Sequence, residues 1–211
     1  RAHGRGCCRR GLLWGGAWLW GGGGERGWAE GKEETWRVWL EARFVRPAVS
    51  APIPGAQRTV LALGEWDGMR LRAFTREEWA AQGAGWEEGE RRARAQCARD
   101  LERVESVVRR DRRGVVESVE LRSVEPRMAS AVLAPGFGER FAEWVGEGCL
   151  LVVPNRHQAW VFPKHASVHA RYTAEVLRAY AATSSPVSVE LLEWSGAGLK
   201  AVGVFENGRG F

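Results

Sequence analysis

The chain has 211 residues, of which 45% are hydrophobic and 27% are charged, and its formal net charge is +5. This composition excludes a wholly disordered chain, and the length suits one domain with flanking segments. Residues 1–30 contain five arginines and two glutamates, so residues 31–211 carry a net charge of only +2. Because nucleic-acid-binding domains usually concentrate positive charge on one face, this balance does not favour a nucleic-acid partner.

Residue usage is skewed toward arginine. The chain has 28 arginines but three lysines, and Ile53 is its one isoleucine. Arginine has GC-rich codons, whereas lysine and isoleucine have AT-rich ones, so the skew indicates a GC-rich genome. Two of the four cysteines, Cys97 and Cys149, lie in apolar stretches and are expected to be small buried side chains. Free cysteines favour a reducing compartment, so we expect a cytoplasmic protein.

The chain divides into four predicted segments. Residues 1–34 are Gly-, Trp- and Arg-rich and are expected to form a disordered leader; a signal or an aromatic membrane-contact segment is the alternative. Residues 35–59 are expected to be irregular and Pro-rich, although 35–45 could add a strand or short helix. Residues 60–206 are expected to form the globular domain, and residues 207–211 a tail.

The first half of the domain shows helix signals followed by a strand. Thr75 and Glu78 have the spacing of a capping box, which predicts a short helix that ends at the glycines after residue 82. Apolar residues then recur at helical spacing and predict a long helix over 86–108; they are Ala93, Cys97, Leu101, Val104 and Val108. A turn at 111–114 precedes a predicted strand over 115–124.

The second half alternates helices with strand pairs. We expect a helix near 138–145, two strands joined at Asn155-Arg156, and a helix over 167–183 with Ser167 as its N-cap. A strand through Val187–Leu191 and a hairpin partner over 199–205 complete the domain. This order predicts a single α+β domain, with a mainly antiparallel sheet packed by two or three helices.

The run LLVVPNRHQAWVF is broken at Asn155, Arg156 and His157. Pro154 typically ends a strand and Asn155 tolerates turn geometry, so a plain turn explains the break. Alternatively, Arg156 and His157 project from the turn and hold a carboxylate or a phosphate. Asn155, Arg156 and His157 are therefore the candidate ligand-binding residues. We expect Arg156→Ala to leave folding nearly intact and to weaken anion binding.

Two classes of function are compatible with these residues. The first is a non-catalytic binding or interaction protein without a cofactor or a membrane span, whose partner is another protein, a small anionic ligand or a second copy of the chain. The second is a metal- or anion-dependent enzyme that uses Arg156, His157, His165 and His169, since His165 and His169 are four residues apart. No complete catalytic constellation is present, so no catalytic residue is assigned and the first class is favoured.

Three phrases of the chain resemble the YtpQ-like family of bacterial proteins: FTREEWAAQGAGWEEGERRARAQCARDL, LLVVPNRHQAWVF and SSPVSVELLEWSGAGL. The resemblance covers residues 60–205. The family has an aspartate where this chain has His157. Because the family is a domain of unknown function, the resemblance implies no activity and no catalytic residues.

Overall fold

The computed structural model describes residues 35–165, 167–196 and 198–206. The strands are β1 (Trp36–Ala42), β2 (Ser50–Pro52), β3 (Thr59–Trp66), β4 (Leu71–Ala73), β5 (Glu105–Arg110), β6 (Val116–Arg122), β7 (Cys149–Val152), β8 (Gln158–Pro163), β9 (Glu190–Ser195) and β10 (Gly198–Val204). The helices are α1 (Arg76–Gln82), α2 (Trp86–Glu102), α3 (Met128–Ala131), α4 (Phe137–Val145) and α5 (Thr173–Ala181). Two 3-10 turns span Arg43–Val45 and Ser167–Tyr172.

The first sheet is built around β3. Strand β1 pairs antiparallel with one edge of β3, and β2 and β4 pair antiparallel with its other edge. Where β3 pairs with β4, a Cβ on Gly64 would lie 2.0 Å from the carbonyl oxygen of Arg72. The close approach of these two backbones therefore requires glycine at residue 64.

This sheet changes the predicted character of segment 35–59 and the predicted start of the globular domain. The segment 35–59 is not irregular throughout, because it contains β1, whose seven residues are all buried, and the edge strand β2. The globular domain consequently begins before residue 60. The sequence left 35–45 open as a strand or a short helix, because a strand buried along its whole length shows no alternation of polar and apolar residues. The expected leader and tail, 1–34 and 207–211, lie outside the described residues.

The second sheet has six antiparallel strands in the order β10-β9-β7-β8-β6-β5. Its two faces contribute to different cores. On β8, Ala159 and Val161 belong to the main core, whereas Trp160 and Phe162 belong to a second core. The period of two along the strand places successive side chains on opposite faces. The sheet is therefore covered on both sides.

Helices and the first sheet enclose the main core. Helices α2 and α3 contact β1, and α4 contacts β6 and β8 of the second sheet. The second core is smaller and lies under α5 and the 3-10 turn before it, where Tyr172 and Val176 are buried against Phe162 and Trp160. None of the helices in the described ranges has the length and hydropathy that a bilayer crossing requires.

The α+β class with antiparallel pairing is confirmed, although the strands form two sheets. The capping box is also confirmed: Thr75 Oγ1 accepts from the Glu78 N–H at 3.1 Å, and Glu78 Oε2 accepts from the Thr75 N–H at 2.8 Å. The long helix ends at Glu102 instead of residue 108, because the following valines pair in the β5–β6 hairpin. The predicted helix over 167–183 begins as the second 3-10 turn and becomes α5 at Thr173.

Candidate anion-binding groove

The Asn155–His157 step is a tight turn between β7 and β8. Asn155 Oδ1 accepts hydrogen bonds from the backbone N–H groups of His157 and Gln158 at 2.8 and 2.9 Å. Asn155 Nδ2 donates to the carbonyl oxygen of Ala179 on α5 at 3.1 Å. The asparagine side chain therefore closes the turn as an Asx motif and attaches it to α5.

Arg156 has a structural partner. Its Nη2 donates to Glu41 Oε2 on β1 at 2.5 Å, and the side chains of Arg156 and Glu41 are 16% and 4% exposed. Glu41 also accepts from Trp39 Nε1 at 2.9 Å and from the Ala42 N–H at 3.0 Å. The expectation that Arg156→Ala leaves folding nearly intact is not tested, but this ion pair predicts a loss of stability, because the substitution would leave a buried carboxylate without its cation.

The three candidate histidines occupy different settings. His157 is exposed, with Nδ1 3.1 Å from the carbonyl oxygen of Ser123. His169 packs near Phe162 and Phe205, with both ring-centroid distances 6.3 Å, while His165 lies in the exposed turn after β8. Among residues 35–165, 167–196 and 198–206, no three His, Cys, Asp or Glu side chains are grouped to hold a metal ion. The enzyme alternative thus gains no supporting geometry from these residues.

The Asn155–His157 turn supports a groove that the sequence did not reveal. This cavity has a volume of about 480 Å³ and is bounded by three walls. The first wall is the end of β1 and the turn Ala42–Arg46, the second is Gln57 and Arg58 before β3, and the third is Tyr180 with the lead-in 187–189 to β9. We call this cavity the arginine groove, because Arg43, Arg46 and Arg58 line it together with no acidic residue.

The Asn155–His157 turn is connected to the first and third walls of the arginine groove by hydrogen bonds and an ion pair. Glu41, the partner of Arg156, binds the N–H of Ala42 at the start of the first wall. Asn155 binds the carbonyl of Ala179, next to Tyr180 in the third wall. The Pro154 carbonyl accepts from the Val187 N–H at 2.9 Å in the same wall. Asn155 and Arg156 are therefore positioning residues rather than lining residues.

A buried carboxylate holds the second wall. Glu190 is 4% exposed, and its Oε1 accepts from the N–H groups of Gln57 and Arg58 at 2.6 and 3.0 Å. Its Oε2 accepts from Thr59 Oγ1 at 2.6 Å. Since Glu190 lies on β9 and Thr59 on β3, these bonds connect the two sheets. They also fix the backbone from which the Arg58 side chain projects.

The three arginines differ in their partners. Arg43 Nη2 donates to the Ala56 carbonyl at 3.0 Å, which leaves its other N–H donors available. Arg58 Nη2 pairs with Glu206 Oε1 at 2.9 Å, with side chains that are 55% and 45% exposed. Arg46 is exposed, and its guanidinium makes no hydrogen bond or ion pair with any residue that the structure describes.

Arg46 also has a strained backbone. Its φ and ψ are 54° and 56°, and within the described ranges it is the one non-glycine residue with positive φ. Its N–H closes the preceding 3-10 turn by donating to the Arg43 carbonyl at 3.1 Å. The left-handed conformation is unfavourable for a side chain with a Cβ, and residue 47 is a proline, which disfavours helical geometry in the residue before it. Such strain is concentrated at functional sites.

Sequence reasoning missed Arg43, Arg46 and Arg58 because all three lie in the segment expected to be irregular. The available signal was the pair of arginines that flanks two apolar residues in Arg-Phe-Val-Arg, at positions 43–46. That signal is weak in a chain with 28 arginines. Recognising the groove requires Arg58, Tyr180 and Val187 to be placed beside this tetrapeptide, which only the tertiary structure does.

Comparison with known proteins adds no identity to this geometry. No family model, no curated protein sequence and no solved structure matches the chain. The resemblance to the YtpQ-like family therefore stays a prediction.

Proposed function

We propose that this protein is a non-catalytic binding protein that holds a small anionic ligand in the arginine groove. The observation that carries the proposal is Arg46, an exposed arginine that lines a cavity from a strained left-handed backbone. Guanidinium groups bind carboxylates and phosphates through paired N–H donors. Arg43 and Arg58 line the same cavity, so three arginine residues border one ligand-sized space.

The groove lining favours binding over catalysis. Besides the arginines it consists of apolar and aromatic side chains, Gln57 and Ser188, with no carboxylate, imidazole or thiol. The Ser188 hydroxyl is 2.5 Å from Thr59 Oγ1 and accepts from the Glu190 N–H at 3.0 Å, so it is part of the buried network behind the groove. These groups supply recognition by charge, hydrogen bonding and apolar contact.

Two buried cysteines support a reducing compartment as part of this proposal. Cys97 and Cys149 are free and buried. Burial raises the pKa of the Cys97 thiol to about 11 and that of the Cys149 thiol to about 12. Thiols held in this state are inert and need no disulfide, which agrees with a cytoplasmic location.

The test of the proposed function is isothermal titration with inorganic diphosphate at low ionic strength. We expect saturable binding to the wild-type chain. In Glu206→Gln the affinity should increase up to about five-fold, because the glutamate competes for Arg58 with the energy of an exposed ion pair, which is about 1 kcal/mol at most.

The matched control is Glu193→Gln. It removes one negative charge from another ion pair, the one between Glu193 on β9 and Lys164 in the turn after β8, so the net charge changes equally. We expect this variant to bind diphosphate like the wild type. The proposal would be contradicted by the absence of saturable binding, or by an equal gain in affinity in both variants.

A further inference from the structure

We infer that the ligand of the arginine groove is a free nucleotide, with its phosphates on the arginines and its base on Phe44. This inference rests on the proposed function and narrows it to one class of ligand. Three observations support it: the exposed ring of Phe44, the number of arginines that line the groove, and the volume of the cavity.

Phe44 is an exposed aromatic residue that packs in neither of the two cores. Its side chain is 67% exposed, whereas the other phenylalanines within the described ranges are buried. It makes no ring contact with the aromatic clusters of either core. It lines the groove between Arg43 and Arg46 in the chain. A ring in this setting provides a flat surface on which a base stacks.

The number of arginines indicates phosphate rather than a single carboxylate. One carboxylate has two oxygens, which a single guanidinium fork already satisfies. The groove instead offers Arg43 and Arg46 on one wall and Arg58 on another. A diphosphate or triphosphate has enough oxygens and negative charge to bridge these two walls.

The size of the cavity and the charge of the body favour a free nucleotide over a nucleic-acid strand. A volume of about 480 Å³ lies within the range of small-molecule sites. The half-buried ring of Tyr180 supplies apolar surface that a base or ribose contacts. Residues 31–211 carry a net charge of only +2, whereas strand-binding proteins use an extended basic track.

The experiment uses the fluorescent nucleotide N-methylanthraniloyl-ADP, followed by anisotropy, with unlabelled competitors. The competitors are ADP, inorganic diphosphate and a single-stranded octanucleotide that consists of eight thymidylates. The variants are Phe44→Ala and Phe44→Trp. Val45→Ala is the matched control, because Val45 is the next residue of the same turn and is 52% exposed. Thermal melts of all variants show whether the substitutions affect folding.

We expect ADP to displace the probe at a concentration about ten-fold lower than diphosphate does, because one stacked base contributes about that much affinity. Phe44→Ala should weaken ADP binding about ten-fold and leave diphosphate binding unchanged, while Phe44→Trp keeps or improves ADP binding. Val45→Ala should bind both ligands like the wild type.

Three results would overturn the inference. Equal competition by ADP and diphosphate, or an unchanged ADP affinity in Phe44→Ala, would show that no base is recognised; the proposed anion-binding function would then stand alone. Displacement by the octanucleotide at a lower concentration than ADP would show that the ligand is a strand. No binding of either ADP or diphosphate would refute both the inference and the proposed function.

Discussion

The ion pair between Arg156 and Glu41 joins the turn after β7 to the end of β1. Glu41 is almost fully buried and accepts two further hydrogen bonds, so three donors contact its carboxylate inside the protein. Arg156 supplies the one full positive charge among these donors. The sequence predicts Arg156 as a ligand-binding residue. In the structure, Arg156 instead orients the wall that contains Arg43 and Arg46.

Arg156→Ala is expected to lower the free energy of unfolding by about 2 kcal/mol, because it leaves the buried Glu41 carboxylate without its cation. Equilibrium denaturation with urea measures this loss. The control is Arg112→Ala in the exposed β5–β6 turn, which should change stability by less than about 0.5 kcal/mol. Equal stabilities of the two variants would contradict the structural role of Arg156.

The buried cysteines should be unreactive in the folded protein. Because the Cys97 and Cys149 thiols have raised pKa values of about 11 and about 12, few thiolates are present at pH 8. After a pulse of iodoacetamide, mass spectrometry should find the peptides of both residues unmodified in native protein and modified in denaturant. Rapid native labelling of either peptide would show that the thiol is accessible.

At the scale of elements, one carboxylate connects β1, α2 and α3. Asp100 of α2 accepts from Arg37 Nε of β1 at 2.8 Å and from Arg127 Nη1, just before α3, at 3.0 Å. Ser130 Oγ of α3 donates to the same carboxylate at 2.8 Å. All of these side chains are buried, and the Arg127 guanidinium also stacks 3.9 Å from the Trp66 ring centroid.

Asp100→Ala is therefore expected to reduce the free energy of unfolding by about 3–5 kcal/mol, because it removes the buried carboxylate that the Arg37 and Arg127 guanidinium groups share. Glu102→Ala removes an exposed carboxylate two residues further along α2 and should be nearly neutral. Both values come from the same urea titration. A loss below about 1 kcal/mol for Asp100→Ala would contradict the role assigned to this network.

The elements that the sequence predicts correctly are those with local signals. The Thr75 capping box and the stripe of Ala93, Cys97 and Leu101 are set by residues within a few turns of one another. The stripe leaves the helix at Val104 and Val108, because spacings of three and four residues continue past Glu102 toward a strand that pairs with β6. For 35–45 the sequence left a strand and a short helix open, since the distant partners on β3 and α2 that bury β1 are not visible in the local pattern.

At the scale of the whole molecule, several carboxylates are more acidic in the folded state than in the unfolded chain. Burial opposes ionisation of Glu120, but hydrogen bonds from Arg122 at 2.7 Å and Arg109 at 2.8 Å outweigh it and lower the pKa. A hydrogen bond from Arg72 lowers the pKa of Glu78, and one from Lys164 lowers that of Glu193. A lowered folded-state pKa means that protonation favours the unfolded chain.

Stability should consequently be constant near neutral pH and fall as the pH drops below about 4.5, the region where glutamates of the unfolded chain bind protons. The loss continues down through the folded-state pKa values. Urea denaturation at a series of pH values measures it, and Glu120→Gln should flatten the acidic limb of the profile. A stability that rises on acidification would contradict this pattern of ion pairs.

The arginine groove is formed by residues from distant parts of the chain. For this reason it could not be predicted from the sequence. Its walls come from residues near 43, 58, 180 and 188, which no local pattern relates to one another. Sequence analysis selected Asn155 and Arg156, which lie behind the groove and connect two of its walls. The local pattern thus pointed to the supporting turn, whereas the lining residues depend on tertiary contacts.

The most direct test of the central claim measures stability and diphosphate affinity together in Arg46→Gly. Glycine tolerates the left-handed conformation of residue 46, so relief of strain should raise the free energy of unfolding by about 1 kcal/mol. Loss of the guanidinium should weaken diphosphate binding about ten-fold, as for one charge-assisted contact. A more stable protein that binds less tightly would show that the strain is retained for binding. Unchanged affinity in Arg46→Gly would contradict the assignment of the arginine groove as the functional site.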